Sequence, residues 1–348
     1  MGKTDIVTGG TGFVGHNVVR ALVSGGEAVR TLVRSKEKAD KALKGLNIEL
    51  FFGDVRDRSA VKKLFDGLEN REIVFIHTVS VVLIGGNSRQ YKMMDDVNYN
   101  GVKNIIEACV TRKARLIYVS SVHAIAEPPK RRLTAETELF DPRTVVGRYA
   151  KSKAKASALV MDAIKNKGLD AVIVYPSGIT GPNDYSGSHL TQMVIDYMEN
   201  RIPAAITGGY DFVDVRDVVS GILKAAKKGK KGDCFLLTNK YYSLMEMFTM
   251  LHDITGGKKI RLKLPMWLAY FSLPFLSAYF TMRGKRPLYT AYSLYTLKSN
   301  SNFSHEKASR ELGFSPRGLH ESLVDMVAFI NENNREKGVR HSSVYFFY

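Results

Sequence analysis

Apolar positions in the first half of the chain fall in short runs that alternate between two periods. Asp5 to Thr8 is an apolar run of strand length. Phe13 to Ser24 repeats its apolar positions at helical spacing and stops at Gly25 and Gly26. Ala28 to Val33 and Ile48 to Phe52 predict two more strands, Val61 to Leu68 a helix, Ile73 to Thr78 a strand and Val97 to Cys109 a helix. Leu116 to Ser120 predicts a strand, Val146 to Asn166 a long helix, and Ala171 to Tyr175 a last strand. Such alternation predicts an α/β fold with a parallel sheet covered on both faces, and right-handed crossovers make the sheet doubly wound.

The pattern loosens after Pro176. Gly178, Gly181, Pro182, Gly187, Gly208 and Gly209 cut the chain into loops and short elements. Phe212 to Ala226 reads as a strand and helix returning to the main layer, and Leu244 to Thr255 as a helix. The expected organisation is a nucleotide-binding domain over 1–176 and a smaller, mainly substrate-binding region over 177–320. Within the latter, 212–237 returns to the main layer; a C-terminal helix and tail fill 321–348.

A chain of 348 residues with 45% hydrophobic residues can fill a sizeable core. Cys109 and Cys234 make neither a metal-ligand spacing nor a disulfide framework, so no metal is expected and a reducing compartment fits. Met1 leads straight into a strand-like segment without a charged region followed by an apolar core, so a cytoplasmic protein is expected. The net charge of +17 comes from scattered lysines and arginines, with the densest run at Lys227, Lys228, Lys230 and Lys231. No nucleic-acid-binding signature accompanies it, and anionic small molecules or a lipid surface are the better partners.

Thr8-Gly9-Gly10-Thr11-Gly12-Phe13-Val14-Gly15 places three glycines at spacing three between a strand and a helix. Glycine makes the sharp turn and admits a pyrophosphate to the backbone, and the helix N-terminus holds the anion. This marks the sheet as Rossmann-type, with Gly9, Gly12, Phe13, Val14 and Gly15 at a dinucleotide. The second strand ends in Arg34-Ser35 with no acid for ribose hydroxyls. An arginine fork and a hydroxyl suit a 2′-phosphate, so NADP(H) is the expected cofactor and NAD(H) the second choice. Asp54, with Val55, ends the third strand, where its carboxylate can accept from the adenine amino group or cap the next helix.

Tyr149 and Lys153 lie four apart on one face of a predicted helix. A nearby ammonium and a nicotinamide charge both favour the phenolate, and lowering its pKa by about three units takes roughly 4 kcal/mol. Ser120 and Ser121 stand at the carboxyl end of a strand, where parallel sheets bind ligands, and can hold a substrate oxygen.

These features resemble the extended short-chain dehydrogenase/reductases, in the branch of dihydroflavonol-reductase-like and 3β-hydroxysteroid-dehydrogenase-like enzymes. The motifs TGGTGFVG, GDVRD (53–57), VNYNGVKNIIEAC (97–109), YVSSVHA (118–124), YAKSK (149–153), YPSGITGP (175–182) and FVDVRDV (212–218) follow in the family's order. The resemblance implies Tyr149 as acid/base, Lys153 as its partner and ribose ligand, and Ser121 as the catalytic hydroxyl. It sets Tyr175, Pro176 and Ile179 at the nicotinamide, and Thr78 and Val79 at the cofactor's linker. His77-Thr78-Val79 departs from the usual His-x-Ala-Ala, with the bulkier Val79 and Ser80 in the places of the two alanines. His123, two residues past Ser121, is a candidate substrate contact.

The expected reaction is NADP(H)-dependent reduction of a ketone or aldehyde, or oxidation of the matching alcohol. The alternative is a nucleotide-sugar epimerase or dehydratase. Dehydratases follow the catalytic hydroxyl with Asp and Glu, where this chain has Val122 and His123. A homodimer is left open. The stretch Pro265 to Met282 is the most apolar of the chain, is interrupted by Pro274 and is followed by Arg283, Lys285 and Arg286. It is too short for a span; buried helices or a lid are expected, or peripheral membrane contact through 265–286 that serves a hydrophobic substrate.

Overall fold

A computed structural model describes residues 2–83, 85–128, 132–282 and 289–336. In chain order the first half comprises β1 (Lys3–Thr8), α1 (Phe13–Ser24), β2 (Val29–Val33), α2 (Lys36–Ala42), β3 (Glu49–Phe52), α3 (Arg58–Lys63), β4 (Glu72–His77), α4 (Ser88–Asp95), α5 (Gly101–Arg112), β5 (Arg115–Val119), α6 (Arg148–Asn166) and β6 (Ala171–Pro176). The second half adds β7 (Gly178–Thr180), α7 (His189–Met198), β8 (Ala205–Ile206), β9 (Gly209–Asp214), α8 (Val215–Lys228), β10 (Cys234–Leu237), β11 (Lys240–Ser243), α9 (Leu244–Thr255), β12 (Lys263–Leu264), α10 (Met266–Met282), α11 (Ala291–Lys298), α12 (Glu306–Leu312) and α13 (Leu319–Glu336).

The main sheet has seven strands in the order β10-β6-β5-β4-β1-β2-β3, and every neighbouring pair is parallel. Such strands are buried from both sides, which is why β6 is apolar throughout and wholly buried. One face packs on α3, α5 and α6 through Val61, Ile105, Val160 and Ile164. The other packs on α1, α8 and α12 through Val18, Leu22, Ile222 and Leu312. From β1 the chain winds outward in both directions, so a crevice opens beyond the carboxyl ends of β1 and β4, the switch point where such sheets bind ligands.

A second core gathers α7, α9 and α13 around Val194, Phe248, Leu251 and Leu323. It carries a three-stranded sheet in the order β11-β9-β7 and the pair β12-β8. Here the expected return of 212–237 to the main layer needs correction. The strand over Gly209–Asp214 belongs to the smaller sheet, antiparallel to β11, and only α8 and β10 rejoin the main layer. The helix expected over 61–68 begins earlier, because Asp57 caps it by accepting from the Ser59 N–H at 2.8 Å. The apolar stretch from 265 forms one helix, α10, through Pro274. Residues 283–286 of that segment lie outside the described ones. Among the described residues no helix is long and apolar enough to cross a membrane.

Candidate active site

The glycine turn behaves as an anion cradle. Gly9 adopts φ +87°, a backbone conformation that side chains disfavour, and its carbonyl accepts from the Gly12 N–H at 2.8 Å. A Cβ on Gly15 would collide with that same carbonyl, so α1 can sit this close to the turn only with glycine there. No side chain caps α1, which leaves the N–H groups of Phe13, Val14 and Gly15 without an intrahelical acceptor. They suit a pyrophosphate. Thr78 and Val79 pack on the back of the turn, with Thr78 Oγ1 donating to the Thr8 carbonyl at 2.8 Å.

At the neighbouring strand ends, Arg34 is 59% exposed and its Nη1 lies 3.9 Å from Asp54 Oδ2. Ser35 caps α2, accepting from the Lys38 N–H at 3.2 Å, and still has its own proton to donate. Asp54 is not the cap of α3, which is Asp57. It is gripped by Arg56 through Nε at 2.9 Å and Nη2 at 3.0 Å. Burial works to raise the Asp54 carboxyl, but the bonds from Arg56 and the charge of Arg34 hold it below its ordinary value. The Val55 side chain is core, buried under Gly101, so only its backbone faces the crevice.

Ser120 and Ser121, adjacent in sequence, are separated by the alternation of an extended chain. Ser120 Oγ turns inward to Ser157 Oγ at 2.8 Å. Ser121 Oγ faces the Tyr149 phenol and accepts from the His123 N–H at 3.3 Å. Ser80 approaches the same phenol, and its Oγ is buried with no partner in hydrogen-bond geometry among the described residues. Burial raises the Tyr149 pKa, an effect that the Ser80 and Ser121 hydroxyls only partly offset. The lowering expected from the sequence is therefore absent in the protein alone, and the phenol rests protonated.

Lys153 is 2% exposed, one turn along α6 from Tyr149. Its Nζ donates to the Val119 carbonyl at 3.0 Å and sits 5.3 Å from the centre of the Tyr118 ring. An ammonium has three donors, and this one has a single acceptor among the described residues, which leaves bonds to give to ribose hydroxyls or to Tyr149. Burial brings its pKa down to about 7. His77 lies beneath, its Nδ1 2.7 Å from Thr8 Oγ1, with its pKa lowered to about 3 by burial and then by the charge of Lys153.

The His123 ring is half-buried and stands edge-on to Tyr149, with centroids 6.3 Å apart. Burial lowers its pKa to about 4, so it is a neutral imidazole at pH 7. Tyr175 points away from this group: its ring is buried against Phe140 and its hydroxyl is 3.6 Å from Cys234 Sγ. Only its backbone can meet a cofactor; Pro176 is buried beside it, and Ile179 is half-buried.

Three positions near this group were given no role of their own by the sequence. Asn98, within a π turn over Asp96–Asn100, accepts from the Val81 N–H at 2.8 Å. Its Nδ2 donates to the Val81 carbonyl at 3.0 Å and to Ser152 Oγ at 3.1 Å. It thus ties the segment carrying Ser80 to α6; a buried amide in an otherwise apolar helical period was the available signal. Ser80 stood out only as bulk beside Val79, and Tyr292, from the second region, gave no pattern at all.

Residues 6–237 match the family described as the NAD dependent epimerase/dehydratase family. Over 337 residues the chain is 31% identical to "Sterol demethylase protein B" of Methylococcus capsulatus, covering 94% of this chain and 98% of that protein. It is 26% identical to "4-hydroxy-2-methyl-3-oxo-4-farnesyl-3,4-dihydroquinoline-1-oxide ketoreductase" of Stigmatella aurantiaca, covering 92% and 94%. The solved structure of gox2253 superposes with a TM-score of 0.81 at 29% identity, over 96% of this chain and 99% of the other. With the parallel sheet, the uncapped glycine turn and the Tyr149–Lys153 helix, these likenesses agree: the chain belongs to the NAD-dependent epimerase/dehydratase family, in its extended short-chain dehydrogenase/reductase branch.

Proposed function

We propose that the protein is an NADP(H)-dependent oxidoreductase that reduces a ketone or aldehyde, or oxidises the matching alcohol, with Tyr149 as its acid/base. The observation that carries this reading is a buried Tyr149 whose phenol rests protonated with Ser121 beside it, one turn along α6 from a buried Lys153 with donors to spare. The uncapped α1 and the spare donors of Lys153 fit a dinucleotide, and Arg34 without an acidic neighbour on β2 supports the 2′-phosphate. When bound, that cofactor supplies the hydride that goes to the carbonyl carbon. Ser121 donates to the carbonyl oxygen and orients it. Tyr149 gives its proton to that oxygen as the C–O π bond breaks, so the alcohol leaves neutral and a phenolate remains. The Lys153 ammonium stabilises this phenolate, and a proton from solvent restores the phenol. The neutral Val122 and His123 support redox chemistry over dehydration, which needs acids beside the hydroxyl.

The substrate class is hydrophobic and enters from a lipid surface. Trp267, Phe271 and Phe275 recur every four residues along α10 and are 70%, 66% and 67% exposed. Lys258, Lys259, Arg261 and Lys263, all exposed, precede this face, and Arg283, Lys285 and Arg286 follow it in sequence. Aromatics that dip into the interface beside basic residues suit anionic headgroups. α10 also packs on α11, with Ser272 Oγ 2.6 Å from Tyr289 Oη, and this contact between the two helices supports entry of a hydrophobic substrate along α10.

Two experiments test these readings. NADPH oxidation is followed with hydrophobic ketones and aldehydes in wild type and Tyr149→Phe, where turnover should fall by about 10²–10⁴-fold with cofactor binding intact. Near-normal turnover in the variant would remove Tyr149 from the chemistry. Flotation with phosphatidylcholine vesicles, with and without phosphatidylglycerol, reads docking: protein should rise only with the anionic lipid, and less at moderate salt. Protein that stays at the bottom at both salt levels refutes it.

A further inference from the structure

A hydroxyl belonging to the second region reaches the reaction site and is left unused. Tyr292 is the second residue of α11, whose start is fixed by a reciprocal cap between Thr290 and Ser293. Its ring lies against Gly147, the residue before α6, where φ is +94° and a Cβ would collide with the ring. The start of the catalytic helix is thus shaped around this tyrosine. On the other side the His123 ring stands between two tyrosines, 6.3 Å from Tyr149 and 6.4 Å from Tyr292. Tyr292 also stacks on Tyr295 at 6.4 Å and 17°. Tyr295 in turn donates to Glu127 Oε1 at 3.0 Å.

The ring is therefore held on three sides, yet its Oη is buried with no hydrogen-bond partner among the described residues. Buried polar groups are nearly always paired, and an orphan beside reacting groups marks the place of a ligand atom. Burial above all holds this phenol far above its ordinary pKa, so it is a neutral donor. Tyr149 already serves the reacting oxygen, and Tyr292, on the far side of His123, needs a different acceptor.

We infer that Tyr292 is a specificity-determining residue whose hydroxyl donates to a second oxygen of the substrate, distinct from the one that is reduced, so that the preferred substrates are hydrophobic carbonyl compounds bearing a further hydroxyl or carbonyl group. The inference rests on the oxidoreductase reading, but its test separates the two. Tyr292→Phe keeps the ring against Gly147 and removes only the unpaired oxygen.

The probes are trans-2-decalone and a set of hydroxy-2-decalones differing in the place of the hydroxyl, each followed by NADPH oxidation. Wild type should show a KM about tenfold lower for at least one hydroxylated isomer than for the parent, the worth of one hydrogen bond. Tyr292→Phe should erase that advantage and leave kcat, the KM of the parent and the melting temperature unlowered. Equal KM values in wild type overturn the inference, as does an advantage that survives in the variant. A loss shared with the parent ketone and a lower melting temperature would show a structural role and overturn it too. If no decalone is turned over, the same pairs are compared by melting shift in the presence of NADP+. A preference there that Tyr292→Phe abolishes upholds the role of Tyr292 and sinks the oxidoreductase reading alone; no preference sinks both.

Discussion

Replacing Arg34 with alanine should change which nicotinamide cofactor the protein prefers while leaving the fold alone. The guanidinium is 59% exposed at the end of β2, so its removal opens no core cavity. Its one acidic neighbour among the described residues, Asp54, lies 3.9 Å away and is already held by Arg56 through both oxygens. An attraction across that distance is worth about 1 kcal/mol in water, which leaves the Arg34 fork free to turn to a phosphate. A charge-assisted hydrogen bond contributes about 1.5–3 kcal/mol, and exposure places this one at the lower end. The expected loss is therefore about 1.5 kcal/mol, or roughly tenfold in the Kd for NADPH. Binding of NADH, which has no 2′-phosphate, should stay within about twofold by the same reasoning. Titration followed by nicotinamide fluorescence reads both constants, and the wild-type preference should shrink as salt is added. An equal loss for both cofactors, or tighter binding of NADH by wild type, would refute the role given to Arg34.

Gly15→Ala should weaken NADPH and NADH alike, by about 1–3 kcal/mol, because its Cβ would push α1 off the Gly9 carbonyl; a variant that discriminates between the two cofactors would contradict this. Asn98→Ala removes three hydrogen bonds, one buried and two part-buried, and should cost about 2–4 kcal/mol in urea unfolding together with some turnover, since it frees the segment carrying Ser80; an unchanged urea midpoint would count against the clamp. His16, His77 and His123 have folded pKa values lowered by burial from 6.5 to about 4, 3 and 4, so the unfolded chain binds more protons below 6.5. Their contribution to stability is complete above about pH 6.5 and should be lost as pH falls toward 4, although Asp211, raised to about 6 mainly by burial, works in the opposite sense between its ordinary 3.8 and 6. A melting temperature that is flat or rising from pH 6.5 down to 4 would contradict the burial of these histidines.

The elements read best from sequence are those whose ends are locally encoded. α1 spans the expected Phe13–Ser24 because the glycine turn starts it and Gly25 ends it. α9 spans the expected Leu244–Thr255 because Ser243 and Glu246 cap each other and Gly256, at φ +65°, stops it. Placement in a sheet is not local. Gly209–Asp214 carries only a short apolar pair, Phe212-Val213, that does not say which sheet it joins, and its partners β7 and β11 are set by packing of the second core. Within GDVRD either aspartate could cap, and only the actual start of α3 at Arg58 selects Asp57. Tyr149, Lys153 and Ser121 were legible because neighbours four apart on a helix and a strand end fix them. Tyr292 was not, since its place depends on α11 meeting α6 from a distant part of the chain.

The interleaving of the two sheets limits how this protein can be divided or recombined. β10, the last strand of the main sheet, pairs with β6, yet β7, β8 and β9 are made between them. Ending the chain at 176 would strip α8 from one face and bare the apolar edge of β6, a template for aggregation. The dinucleotide half is thus no contiguous module. A swap of substrate regions between relatives needs a seam at each crossing between the cores, on both sides of the α8–β10 return and on both sides of α12. Changes of substrate by point substitution at inward-facing positions of α11 need no seam at all.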